Sequence, residues 1–157
     1  MMRLMIKQSR GFSLAELVIA VAIIAVLAAV AVPNFMKLRL TAKHAEVPNM
    51  VEGIKTAELS YDAAFQHFIA TDVNPAVGEY GLGGARRDFD CSPSVAGWAE
   101  LGVCPDGRVR GRYWVETSAD DFLAVGQSDL DDDSKIETYT ASKLGNAALL
   151  AGRTVYP

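Results

Sequence analysis

Residues Leu17 to Val32 read LVIAVAIIAVLAAVAV, sixteen apolar residues without a charge. Counted from Phe12, the apolar segment has 21 residues, and as an α-helix it would extend about 30 Å, the thickness of the hydrocarbon core of a bilayer. One charge interrupts it, at Glu16, and a carboxylate at that depth costs about 2.5 kcal/mol or more unless it is neutral, paired or near the interface. The sequence therefore predicts a membrane-spanning N-terminal helix in which Glu16 has a function.

Three interpretations of this segment compete. The first is an ordinary membrane anchor. The second is a secretory signal peptide, in which the residues Ala29 to Ala31 form the small-residue cleavage site behind a basic front and an apolar middle. Against it, the apolar run is long for a signal peptide, Glu16 lies near its start, and the helical pattern continues beyond Pro33.

The third interpretation rests on residues 7–16, KQSRGFSLAE, which resemble the processing site of type IV prepilins. In that family a short basic leader ends in Gly, a dedicated membrane peptidase cuts after it, the new N-terminal residue is N-methylated, and a Glu follows four positions later. The resemblance assigns these roles to Gly11, Phe12 and Glu16. It continues through the apolar run into residues 31–35, AVPNF.

The resemblance implies a structural subunit of a type IV pilus, as a major or minor pilin. Residues 1–11 would be a cleaved leader, residues 12–33 would span the inner membrane and later lie in the core of an extracellular filament, and residues 34–157 would form a globular domain. Its implied partners are copies of itself or other pilins, the prepilin peptidase and methylase, the inner-membrane assembly machinery and, before assembly, membrane lipid. In the filament, Glu16 would meet the Phe12 amine of a neighbouring subunit, and each would neutralise the other.

Two alternatives stay open: a pseudopilin of a type II secretion system, which shares this N-terminus, and a membrane-anchored extracytoplasmic binding domain. A mature protein that starts at Phe12 would support the pilin, one that starts at Val32 the signal peptide, and one that keeps Met1 the plain anchor. Charge alone does not fix the orientation, because basic residues lie on both sides of the span. They are Arg3, Lys7 and Arg10 before it and Lys37, Arg39 and Lys43 after it.

Composition argues against nucleic-acid binding and against catalysis. The chain has 15 Lys and Arg against 19 Asp and Glu, and three of the basic residues precede Gly11, so the body is acidic and lacks the basic stripe that phosphate binding needs. There is no GxSxG motif and no Cys with a plausible His base. His44 and His67 stand alone and are expected on a helix surface. The sequence therefore predicts that the chain is not an enzyme.

Beyond Pro33, apolar residues recur at steps of three and four from Val47 to Phe68, which is typical of one face of a helix. The sequence predicts one helix from Ser13 to about Phe68, half membrane anchor and half spine of the domain. Pro33 and Pro48 are expected to bend it, since each removes a backbone hydrogen bond and crowds the preceding turn. Four acidic residues lie off the apolar stripe: Glu46, Glu52, Glu58 and Asp62.

The rest of the domain is predicted to be a loop and a small sheet. After the helical residues 34–68, Gly and Pro are frequent in residues 71–108, which predicts a loop. Three strand-like runs follow between residues 110 and 143, at residues 112–117, 121–127 and 136–142. An antiparallel meander of these strands against the helix is an α+β fold, which the resemblance also implies.

The two cysteines, Cys91 and Cys104, are neither a CxxC pair nor accompanied by a His at ligand spacing, so a zinc site is not expected. In an exported chain such a pair predicts a disulfide. Two free buried thiols are the alternative.

The second connection of the predicted sheet, residues 129–137, is rich in aspartate. Its oxygens match the first five ligand positions of a calcium loop: Asp129, Asp131, Asp133, the Lys135 carbonyl and Glu137. Ser134 replaces the Gly of such loops, and Thr140 replaces the bidentate Glu that closes them. Calcium binding and a solvated hairpin turn both stay open.

Overall fold

The structure is a computed structural model, and it describes residues 11–76, 84–130 and 134–151. It divides into two compact units, of which the first ends at Arg39 and the second begins at Leu40. The elements in chain order are α1 (Leu14–His44), α2 (Glu46–Phe65), β1 (Thr71–Asn74), α3 (Trp98–Leu101), β2 (Arg112–Thr117), β3 (Phe122–Ser128), β4 (Glu137–Ser142) and β5 (Ala148–Ala151).

The single bent helix of the prediction is two helices separated at Ala45. Pro48 explains the position of the break. It has no amide to donate to the carbonyl of His44, and its ring crowds that carbonyl. Pro33, in contrast, lies inside α1. The second helix ends at Phe65, three residues before the predicted end, where Gln66 adopts a left-handed φ of 61°.

The α+β prediction is confirmed. The sheet has five antiparallel strands in the order β1-β2-β3-β4-β5, so that each strand pairs with its neighbour in the chain. Its three central strands lie within one residue of the predicted ones. The two edge strands were not predicted, because β1 lies inside the predicted loop 71–108 and β5 lies beyond residue 143. The short helix α3 also lies inside the predicted loop and was not predicted. Both edge strands have only four residues, and neither TDVN nor ALLA alternates polar and apolar side chains.

The core lies between α2 and one face of the sheet. Val47 and Val51 of α2 approach β3 at Gly126, where a Cβ atom would lie 2.9 Å and 2.6 Å from their γ-carbons. The absence of a side chain at Gly126 lets the helix pack close to the sheet. The buried apolar cluster comprises Val47, Val51, Ile54, Phe68, Trp98, Leu101, Val109, Tyr113, Val115, Phe122, Ala124 and Ala141.

Three glutamates spaced six residues apart along α2 each accept a hydrogen bond from a backbone amide outside the helix. The pairs are Glu46 with Arg110 at 2.5 Å, Glu52 with Ala147 at 2.8 Å and Glu58 with Ile69 at 3.1 Å. The second helix therefore fixes the chain segments around the sheet as well as the core.

Glu58 is fully buried. The prediction that it lies off the apolar stripe is wrong, because Glu58 follows Ile54 by four residues and therefore shares the buried face of α2. Burial raises its pKa from 4.5 to about 7, with a further rise from the charge of Asp62 and an opposing effect of the Ile69 amide. Its second carboxylate oxygen, Oε1, has no hydrogen-bond partner among the residues that the structure describes. The environment of Glu58 therefore favours the protonated acid.

We expect Gly126→Ala to destabilise the fold by about 1–3 kcal/mol, because the new methyl group would overpack the contact with Val47 and Val51. The matched control is Gly53→Ala in α2, where a Cβ atom meets nothing within 4 Å. This variant should gain about 0.5–1 kcal/mol from helix propensity. Urea unfolding of the full chain in detergent micelles measures both changes, and a stabilised Gly126→Ala protein would contradict the close approach.

We expect Glu58→Gln to stabilise the protein at high pH only. The folded pKa of Glu58, about 7, exceeds the ordinary value of 4.5, so the stability contributed by its protonated form is full below pH 4.5 and falls as the pH rises to about 7. That loss amounts to about 3 kcal/mol. The neutral amide should avoid it, so the two proteins should have equal urea midpoints near pH 4.5 and diverge by pH 8. A constant difference at all pH values would contradict the assignment.

Candidate functional site

The first helix is covered with exposed apolar side chains. None of its residues is buried, and the large apolar side chains from Phe12 to Leu38 are between 56% and 84% exposed. Within the described residues, the continuous stretch Leu14–Phe65 contains the one segment long and apolar enough to cross a membrane, with a mean hydropathy of 2.8. A signal sequence near the N-terminus can also satisfy this criterion of length and hydropathy, so the property alone does not assign a function.

This helix has no polar face between Leu17 and Val32, because every residue there is apolar. A helix packed on a soluble core has an apolar stripe and a polar face. The second helix shows that arrangement, with Val47, Val51 and Ile54 buried and Thr56 exposed. The first helix is therefore suited to surroundings that are apolar on all sides.

The first helix begins with a capping box formed by Ser13 and Glu16. The Ser13 backbone amide and hydroxyl donate to Glu16 Oε2 at 2.9 Å and 2.8 Å, and the Glu16 amide donates to Ser13 Oγ at 3.3 Å. This reciprocal pair satisfies amides that would otherwise lack partners at the helix start. Ser13 was not among the predicted site residues, although the pattern S-x-x-E before an apolar run is the sequence signal for it.

The capping contacts to the Glu16 carboxylate all reach Oε2. Its other oxygen has no hydrogen bond among the described residues, and Glu16 is exposed.

Gly11 and Phe12 precede the helix and are also exposed, and a Cβ atom at Gly11 would meet nothing within 4 Å. The predicted cleavage junction is thus open to an approaching enzyme on its Gly11 and Phe12 side; the leader residues 1–10 lie outside the described residues.

The predicted disulfide between Cys91 and Cys104 is present, with a Cα–Cα distance of 5.8 Å. It closes a loop in the connection between β1 and β2. Inside this loop, Trp98 is fully buried, donates from Nε1 to the Asp72 carbonyl at 2.8 Å and stacks edge-on against Phe89. The bond therefore encloses a segment that is anchored in the core.

The predicted calcium ligands are only partly described. Asp131 and Asp133 lie outside the described residues. Asp129 is buried and accepts the Ser134 amide at 3.1 Å, while Lys135 is exposed. Ser134 has a left-handed φ of 66°, the conformation for which a calcium loop uses glycine. No group of three or more metal-ligating side chains occurs within residues 11–76, 84–130 and 134–151.

Glu137, the last of the predicted calcium ligands, is buried beneath the end of α1. Its Oε2 lies 2.9 Å from Nδ1 of His44, and its exposure is 3%. His44 was predicted to stand alone on the helix surface. That prediction is wrong, because the two residues, 93 positions apart, meet across the helix–sheet interface. His67, the other histidine, is exposed, but it lies beyond the end of α2 and not on a helix, and its Nδ1 is 3.0 Å from the Phe65 carbonyl oxygen.

Comparisons with known proteins point to the N-terminal segment. Residues 6–32 match the family model of the prokaryotic N-terminal methylation motif. The type IV major pilin protein PilA of Myxococcus xanthus (strain DK1622) is 44% identical over 54 residues, which are 34% of this chain and 24% of that protein. The chain thus spans about a quarter of the length of the curated relative it matches. No solved structure matches the chain significantly. Over its N-terminal segment, this chain is therefore similar to type IV pilins.

Proposed function

We propose that this chain is a structural subunit of a type IV pilus filament. The observation that carries the proposal is the surface of α1, whose large apolar side chains are 56% to 80% exposed on every side. Such a surface requires lipid or other apolar helices around it. In a pilus subunit, α1 would be surrounded by lipid in the inner membrane before assembly. In the filament it would pack against the α1 helices of neighbouring subunits, so the requirement is met in both states.

The methylation motif distinguishes this proposal from a plain membrane anchor. Cleavage between Gly11 and Phe12 would leave an amino group four residues before Glu16. The carboxylate and the amine are each costly in hydrocarbon when unpaired. The unbonded Oε1 of Glu16 is available to the Phe12 amine of a neighbouring subunit, while Oε2 keeps its contacts with Ser13.

The remaining parts of the proposal follow from this assembly. A prepilin peptidase would remove the leader and methylate Phe12, and the inner-membrane assembly machinery would extract the processed chain into an extracellular filament. The subunit would act by polymerising, as a major or minor pilin, and not as an enzyme. Calcium binding at residues 129–137 stays a separate proposal, supported by the left-handed φ of Ser134.

We expect Gly11→Val to block removal of the leader, because a branched side chain would stand at the residue after which the peptidase cuts. The control is Ala20→Val, which makes a similar enlargement in the middle of the apolar run. Mass spectrometry of the chain isolated from cells with the cognate peptidase should find a start at Phe12 for wild type and control, and an intact leader for Gly11→Val. Normal maturation of Gly11→Val would contradict the assigned junction.

A pair of substitutions separates the charge of Glu16 from its capping role. Glu16→Gln keeps a capping-box residue at this position but removes the charge, whereas Ser13→Ala removes the capping hydroxyl and keeps the charge. We expect both proteins to enter the membrane. Filament yield, measured on sheared surface fractions, should fall at least tenfold for Glu16→Gln and stay near wild type for Ser13→Ala. A tenfold fall corresponds to a loss of roughly 1.4 kcal/mol in the free energy of assembly. The opposite order would assign the role of Glu16 to capping.

A further inference from the structure

One end of the sheet carries three buried side-chain oxygens from neighbouring strands. Tyr113 in β2, Ser128 in β3 and Glu137 in β4 have exposures of 0%, 0% and 3%. Ser128 and Glu137 are direct partners in the β3–β4 register. The β2–β3 register, continued by one residue, places Gly111 opposite Ser128, and a Cβ atom at Gly111 would lie only 2.7 Å from the Tyr113 hydroxyl. The phenol oxygen thus occupies the place of the missing Gly111 side chain, in line with Ser128 and Glu137.

These oxygens lie on the face that packs against α2. Gly126, which contacts Val47 and Val51, is two residues before Ser128 in β3, and residues two apart in a strand share a face. Opposite residues in an antiparallel pair also share a face and have their Cβ atoms about 5 Å apart. Ser128 and Glu137 are therefore neighbours in the interior of the unit.

Within the described residues, Tyr113 Oη, Ser128 Oγ and Glu137 Oε1 have no hydrogen-bond partner. The Gly111 amide interacts with the phenol but is not in hydrogen-bond geometry. Buried polar atoms without a partner are rare in folded proteins, because each has lost its hydration without compensation. Three such atoms in one row indicate a shared partner other than a side chain of the described residues.

The hydrogen-bonding capacities of the three groups are complementary. Burial raises the pKa of Tyr113, and the Glu46 carboxylate raises it further, so the phenol keeps its proton and is a donor. Ser128 can donate and accept, and a carboxylate oxygen accepts. The other oxygen of Glu137 is held by His44 at 2.9 Å, which fixes the direction of the free one.

We propose that this row, Tyr113, Ser128 and Glu137, is an internal water site. Bridging water accepts a hydrogen bond from the Tyr113 phenol, donates to Glu137 Oε1 and completes its coordination at Ser128. Buried waters typically make about three hydrogen bonds to otherwise unpaired polar groups. The site links β2, β3 and β4 and, through Glu137 and His44, joins them to the end of α1.

The same row is poorly suited to a cation. It contains one carboxylate, and one oxygen of that group already contacts His44. Calcium takes six to eight oxygen ligands and usually several carboxylates, and no cluster of three metal-ligating side chains occurs in the described parts of the chain. Water needs only the two or three polar atoms that the row supplies.

Removal of single hydroxyl groups tests the site, because the urea midpoint should fall if water is bound and rise if the hydroxyls have no partner. Urea midpoints are measured for the full, oxidised chain in detergent micelles with Tyr113→Phe, Ser128→Ala and the double variant. A water site predicts that each single substitution lowers the midpoint and that the double variant loses less than the sum, because both act on the same water. If the hydroxyls have no partner, each substitution removes a buried unpaired group and raises the midpoint, which would overturn the proposal.

Two further measurements complete the test. Thr140→Val removes a hydroxyl from the opposite face of β4 and should not couple to Ser128→Ala; equal coupling would overturn the proposal. A midpoint that rises with calcium chloride in the wild type but not in Ser128→Ala would assign the row to an ion instead. Should a variant fail to fold, a wild-type structure with resolved solvent decides: ordered water between Tyr113 Oη and Glu137 Oε1 supports the site, and its absence there overturns it.

Discussion

The C-terminal unit depends on the close packing of α2 against the sheet at Gly126. A side chain there would collide with Val47 and Val51, so the separation between helix and sheet is set by a residue that has none. Interiors are packed as densely as crystals and tolerate little extra volume. At this separation, glutamates of α2 accept hydrogen bonds from the amides of Arg110, Ala147 and Ile69. These hydrogen bonds hold the chain segments around the sheet against the helix.

The first helix is under the opposite constraint. Its apolar side chains are exposed, and none of its residues is buried. For the C-terminal unit, folding buries the apolar surface within one chain, whereas for α1 the burial must come from lipid or from other molecules. The polar groups at the start of α1 differ in this respect, because Ser13 and Glu16 hydrogen-bond to each other within the chain.

Polar groups inside the C-terminal unit are placed where elements meet. Glu58 holds the segment after α2 by the Ile69 amide, and Glu137 meets His44 at the junction of the two helices. Both carboxylates are nearly inaccessible, and burial of such groups is unfavourable unless they are hydrogen-bonded or neutral. Because burial raises the pKa of Glu58 to about 7, the stability of the fold depends on the protonation of this residue.

The sequence by itself determined the features that depend on short-range order. The uncharged run from Leu17 to Val32, the spacing of Gly11, Phe12 and Glu16, and the strand-like composition of the three central strands are all local patterns, and a helix or strand of that length expresses them directly. The break at Ala45 follows from Pro48, and the capping box from S-x-x-E, so both were also contained in local sequence. The cysteine pair predicted its disulfide because an exported chain leaves few other uses for two cysteines.

Only the tertiary structure decided the contacts between residues far apart in the chain. The edge strands β1 and β5 have four residues each and become strands because a neighbouring strand supplies hydrogen-bond partners. Glu58 accepts the Ile69 amide from 11 positions further along the chain, because the segment after α2 folds back toward the helix. His44 and Glu137 are separated by 93 positions, and no local pattern relates them. Their contact, and the polar row beside it, exist because α2 and the sheet bring distant side chains to one face.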